Sequence, residues 1–157
     1  MHNLILLRHA ETVGSLSDDF NRTLTPHGKK QAKKLAEFFA NNEEYLPDLV
    51  LCSSALRTRQ TAAPIIENTK IKIKYLPELY NISYEKMARI ISEHADIENL
   101  MIISHNPAIS QFAHLLHKPT SIANDVSLKP SQMAIFEVAA LNDLGKNKKL
   151  KLFYESI

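Results

Sequence analysis

The stretch Leu100-Met101-Ile102-Ile103-Ser104-His105-Asn106-Pro107 decides the fold class of this chain. An unbroken apolar run stops at a histidine, and a proline follows where a helix would begin. Near the N-terminus, Leu4-Ile5-Leu6-Leu7-Arg8-His9-Ala10-Glu11 has the same form. Short continuous apolar runs of this kind suit parallel strands covered on both faces. In such sheets ligands bind at the carboxyl ends of the strands. Two imidazoles delivered there, one beside an arginine, point to a site for an anion, with phosphate the best fit.

Working outward, strand and helix patterns alternate. Strands are expected over Asn3–Leu7, Asp48–Cys52, Ile71–Tyr75, Leu100–Ser104, Met133–Val138 and Leu150–Tyr154. Strict alternation in Ile71-Lys72-Ile73-Lys74-Tyr75 marks a strand with one solvated face, near an edge. A helix should run from Pro26 to Asn41, with Ala32, Leu35, Ala36 and Phe39 on one face. Further helices are expected over Ala55–Glu67, capped by Ser54 and disturbed by Pro64, and over Tyr84–Ala95 with Met87, Ile90 and Ile91 inward. A last helix opens with Pro107 as its first residue and carries Ile109, Phe112, Ala113 and Leu116. Residues 145–147, Gly-Lys-Asn, read as the turn between the last two strands. The expectation is a single α/β domain over residues 1–157, with a mostly parallel central sheet of about six strands and helices on both faces.

Composition narrows the function classes. A hydrophobic share of 45% with 23% charged residues suits a folded globule rather than a disordered chain. The net charge of +2 gives no reason to expect nucleic acid as a partner. The lysine runs at Lys29-Lys30, Lys33-Lys34 and Lys146-Asn147-Lys148-Lys149 read as solvated faces. No stretch approaches the roughly 20 apolar residues of a membrane span, and no basic segment precedes the first apolar run to make a secretory signal. The lone cysteine, Cys52, permits no internal disulfide and sits in an apolar run, so a core thiol in the cytoplasm is expected.

The strand ends present a coherent chemistry. The first gives Arg8 and His9. The turn after the second gives Ser53, which either binds an anion or shapes the turn, and then Arg57. The segment after the third gives Glu78, and the fourth gives His105 and Asn106 at a helix start. Arginine supplies planar donors for phosphoryl oxygens, a helix N-terminus favours an anion, and a neutral imidazole can attack phosphorus. Arg22 could neutralise the rim of such a pocket or pair with Asp18 or Asp19. Glu11 reads as a local hydrogen-bond or ion-pair partner.

These residues carry a resemblance. Leu-Leu-Arg-His-Ala-Glu, Arg22-Thr23-Leu24-Thr25-Pro26-His27-Gly28, Ser53-Ser54-Ala55-Leu56-Arg57-Thr58-Arg59-Gln60-Thr61-Ala62 and Ile103-Ser104-His105-Asn106-Pro107 resemble, in order, the motifs of the histidine phosphatase (phosphoglycerate mutase-like) superfamily. The resemblance implies a phosphatase with His9 as the phosphorylated nucleophile and with Arg8, Arg57 and His105 holding phosphoryl oxygens. It places Glu78 at the position of the proton donor and calls for no cofactor and no metal. The short spans from Glu11 to Arg22 and from Glu78 to the next helix look like the SixA-type phosphohistidine phosphatases, whose pockets lack a capping insertion. The expected substrate is a phosphorylated protein side chain: phosphohistidine, or phosphoserine or phosphothreonine. The alternatives are a small phosphomonoester, a mutase, or a phosphate-binding module without catalysis. A metal hydrolase ligated by His9, His105 and Glu78 is disfavoured, because two arginines would repel the cation.

Overall fold

A computed structural model describes residues 1–14, 17–117, 127–145 and 148–155. Its centre is a six-stranded sheet in the order β3-β2-β4-β1-β5-β6, built from β1 (His2–Arg8), β2 (Leu49–Ser53), β3 (Lys72–Leu76), β4 (Asn99–Ser104), β5 (Met133–Val138) and β6 (Lys148–Tyr154). The first four strands are mutually parallel, and β5 and β6 join antiparallel at one edge. The alternating strand β3 lies at the other edge, as its half-solvated pattern requires.

Four helices cover the sheet among the described residues: α1 (Pro26–Asn41), α2 (Leu56–Ile66), α3 (Tyr84–Ser92) and α4 (Ala108–His117). Alternation along the strands splits the core into two layers. Leu4, Leu6, Leu100 and Ile102 pack with Met87 and Ile91 of α3 and Ile109 and Phe112 of α4. Ile5, Leu7, Met101 and Ile103 pack on the opposite face with Leu35 and Phe39 of α1 and Ala62 and Ile65 of α2. Side chains of this size, fully buried, each contribute about 1.5–3 kcal/mol of hydrophobic stabilisation.

This layering positions the site. β1 and β4 are neighbours in parallel register, with Leu7 opposite Ile103 and Arg8 opposite Ser104. The helix after β1 lies on one face and the helix after β4 on the other. Their connections therefore diverge and open a crevice at the carboxyl ends of the two strands. His9 and His105, each one residue past its strand, stand level at that crevice.

Several local expectations shift. Ser54 does not cap α2; Ala55 holds that position without a side-chain bond, and the Leu56 amide donates to the Phe20 carbonyl at 3.0 Å. A tertiary contact thus replaces the local cap. Pro64 stays inside α2. Pro107 precedes α4 rather than opening it, and α3 ends at Ser92. Two residues of the expected turn at 145–147 lie outside the described residues. By contrast, α1 begins at Pro26 as its sequence dictates, because the Thr25 hydroxyl accepts from the Gly28 amide at 2.9 Å.

Candidate active site

The crevice between β1 and β4 is an open pocket of about 550 Å³, lined by Arg8, His9, Glu11, Thr12, Asp19, Arg22, Arg57, Tyr80, Asn81, His105, Asn106 and Pro130. His9 (6% exposed), Arg57 (6%) and His105 (7%) form its floor, whereas the Asp19 side chain at the mouth is 50% exposed.

His9 is oriented by a single bond. Its Nδ1 lies 2.8 Å from the Ala10 carbonyl oxygen, which can only accept. Nδ1 therefore carries the proton, and Nε2 keeps its lone pair. Burial lowers the His9 pKa from 6.5 to about 4; the bond to Ala10 opposes that shift, and the nearby charges of Arg57, Arg8 and Arg22 add to it. Neutral imidazole is thus the resting form at physiological pH.

The peptide that follows His9 is held from below. The Ala10 amide donates to the Thr61 hydroxyl at 2.9 Å, and that hydroxyl donates to the Arg57 carbonyl at 2.8 Å. One buried side chain links the backbone after His9 to that of Arg57. The Glu11 amide donates to Gln31 at 2.9 Å, and the Thr25 hydroxyl donates to the Glu11 carboxylate at 2.8 Å.

His105 faces His9 with ring centroids 5.4 Å apart. Its Nε2 lies 2.7 Å from the Ser53 hydroxyl. Burial, followed by the charge of Arg57, lowers its pKa to about 3. Ser53 also accepts from the Ala55 amide at 3.4 Å, so it shapes the turn and supports the histidine together. Asn106 donates to the Leu128 carbonyl at 3.0 Å and Arg8 donates to the same oxygen at 3.1 Å, pinning the segment before β5 across the pocket.

Arg57 is clasped by Asp19: one terminal nitrogen donates to the Asp19 carbonyl at 2.6 Å and the other to its carboxylate at 3.1 Å. Arg8 Nε, Arg57 Nε and His105 Nδ1 are buried without a hydrogen-bond partner among the described residues. Buried orphan groups are costly, at about 1–3 kcal/mol each. All three belong to residues that line the pocket.

The structure brings Arg8, His9, Arg57, His105 and Asn106 to one pocket, with Ser53 directly behind His105. It does not bring Glu78 there. Pro77–Leu79 forms a short three-ten turn in which Leu79 is fully buried and Glu78 faces solvent. Tyr80, the next residue, reaches the pocket in its place. Between Asp18 and Asp19, Arg22 pairs with Asp19 at 3.0 Å. The lining residues that the sequence does not announce are Tyr80, Asn81, Thr12 and Pro130, together with the contact of Asp19 with Arg57. The Cys52 thiol is buried, and burial raises its pKa to about 12, so it is an inert core group.

Two histidines with lowered pKa values and two arginines thus converge on one crevice of an α/β sheet. The chain belongs to the histidine phosphatase superfamily (branch 1), whose family model matches residues 4–99. An uncharacterised chloroplastic protein of Arabidopsis thaliana is 32% identical over 72% of this chain and 58% of its own length. A mannitol-1-phosphatase of Eimeria tenella is 31% identical over 68% of this chain and 40% of its own. The chain thus spans about half the length of the curated relatives it matches. Among solved structures, a candidate phosphohistidine phosphatase SixA from Nakamurella multipartitia superposes with a TM-score of 0.85 at 26% identity, covering 99% of this chain and 96% of that one. No helix among the described residues is long and apolar enough to cross a membrane.

Proposed function

We propose that this chain is a phosphatase that works through a covalent phosphohistidine on His9 and acts on a phosphorylated protein side chain. The observation that carries the reading is the His9 Nδ1 bond to Ala10, which leaves the Nε2 lone pair in a pocket floored by two arginines.

In the first step, Nε2 attacks phosphorus in line. The N–P bond forms, the bond to the leaving group breaks, and the leaving group departs with the electron pair and takes a proton from solvent. Arg8, Arg57 and His105 hold the phosphoryl oxygens, and this electrostatic positioning supplies most of the catalysis. The Ala10 carbonyl stabilises the positive charge that the phosphorylated ring gains. Water then attacks phosphorus, the N–P bond breaks, inorganic phosphate leaves, and His9 returns to its Nδ1–H form. Neither a metal nor a cofactor enters. Glu78 is not needed for the first step when the leaving group departs readily, as an imidazole does. The phosphohistidine reading draws on the likeness to the SixA structure. The small-molecule alternative draws on the mannitol-1-phosphatase relative. Buried Cys52 suits a reducing compartment such as the cytoplasm.

The test compares wild type and His9→Ala on a phosphohistidine protein, a phosphoserine peptide, mannitol 1-phosphate and an aryl phosphate, with and without a strong chelator. Wild type should turn over in both conditions and trap an acid-labile phosphoenzyme, and His9→Ala should do neither. Equal rates for the two proteins overturn the reading. A strong preference for mannitol 1-phosphate would reassign the substrate and leave the family intact.

A further inference from the structure

The charges of the pocket are arranged in two tiers. The floor carries Arg8 and Arg57. At the mouth, Asp19 and Glu11 are carboxylates, and Arg22 is the one cation among the described lining residues there. Arg22 spends three of its five N–H groups on the protein. Its Nε donates to the Val13 carbonyl at 2.9 Å, one terminal nitrogen to Asp19 at 3.0 Å, and the other to the Thr12 hydroxyl at 2.5 Å. It neutralises Asp19 in part, as Arg57 does from the floor.

Asp19 is the node that keeps this arrangement rigid. Besides Arg57 and Arg22, it accepts from the Tyr80 hydroxyl at 2.5 Å, and the Tyr80 ring edge packs on His105 at 5.5 Å. Three chain segments thus fix one carboxylate at the exit of a pocket whose floor is cationic. Because Asp19 bonds Arg57 directly, a group next to a phosphoryl held by Arg57 would lie close to that carboxylate.

Resting on the phosphatase reading, we infer that Asp19 is a specificity-determining residue that sorts substrates by the charge carried next to the phosphoryl group. Cationic or neutral neighbours are accepted and carboxylate-bearing ones are disfavoured. At partly screened separations of several ångströms, one unit charge changes affinity by about three- to tenfold.

The test uses non-hydrolysable ligands, so it does not depend on turnover. Binding of propylphosphonate, 3-aminopropylphosphonate and 3-phosphonopropionate is measured by titration calorimetry at pH 8 on wild type, Asp19→Asn and Tyr80→Phe. Wild type should rank the amine above the propyl compound and the carboxylate last, with about three- to tenfold between neighbours. Asp19→Asn should collapse that ranking to within about twofold, and Tyr80→Phe, which keeps the charge, should preserve it. A wild type that binds all three alike, an Asp19→Asn variant that keeps the ranking, or a Tyr80→Phe variant that loses it overturns the inference. A loss of affinity common to all three ligands reports only the grip on Arg57, and the ranking is read independently of it. Failure of wild type to bind any phosphonate, with no turnover of an aryl phosphate, strikes the phosphatase reading itself.

Discussion

The Ser53 hydroxyl lies 2.7 Å from His105 Nε2, joining the ends of β2 and β4 across 52 residues of sequence. If Ser53 donates, the single ring proton of neutral His105 sits on Nδ1, and if it accepts, on Nε2. Only in the first case is a ring N–H free for a phosphoryl oxygen, so this one hydroxyl sets whether His105 can donate at all.

Replacing Ser53 with Ala should therefore lower kcat/KM by about tenfold, the usual worth of a buried hydrogen bond to a reacting group. The ring tautomer should change as well, visible in the ¹⁵N shifts of His105. An unchanged tautomer together with unchanged kinetics would remove Ser53 from the site.

The Thr61 hydroxyl serves two backbones, Ala10 and Arg57, from a fully buried position. Thr61→Val keeps the shape but strands the Ala10 amide, while the Arg57 carbonyl loses its second donor and keeps its helical one. A stability loss of about 1–3 kcal/mol is expected in denaturant titration. The rate should fall with it, since His9 and Arg57 both lose a support.

Burial and neighbouring cations hold His9 near a pKa of 4 and His105 near 3, against 6.5 for an unperturbed imidazole. Below pH 6.5 the unfolded chain takes up protons that the folded chain refuses. The stability contribution is therefore full above about pH 6.5 and drains away as pH falls toward 4 and 3. Imidazole ¹⁵N titration should find the His9 midpoint well below 6.5, and an acid limb of kcat/KM set by His9 should lie near pH 4. A His9 midpoint at or above 6.5 would contradict the burial argument.

A methyl group at Gly28 would sit 2.1 Å from the Glu11 carbonyl oxygen, so helix α1 meets the loop after His9 with no room between them. Gly28→Ala should destabilise the chain by about 1–3 kcal/mol through this overlap. The melting temperature should drop by several degrees, and activity should fall because the loop must move.

How much of this was readable beforehand follows the range of the interactions involved. β5 and α1 begin and end where their residues say, since a Thr-Pro start and an apolar stripe act within a few positions. Arg8, His9, Arg57 and His105 were placed at strand ends by local pattern, and parallel pairing then brought those ends together. Glu78 and Tyr80 differ because a three-ten turn distributes successive residues by direction, and the core claimed Leu79 first. The grip of Asp19 on Arg57 spans 38 residues and involves no periodicity, so nothing local announces it. The start of α2 is set in the same way: its first amide donates to Phe20 from a distant segment.

The place of β4 in the sheet bears on when the site can exist. It lies between β1 and β2, yet it follows both in the chain. A nascent chain ending before residue 99 would hold Arg8, His9 and Arg57 but have no strand to set β1 beside β2. Synthesis from the N-terminus therefore presents His9 long before His105. On the proposed function, turnover would report that the central strand has been inserted between its two neighbours.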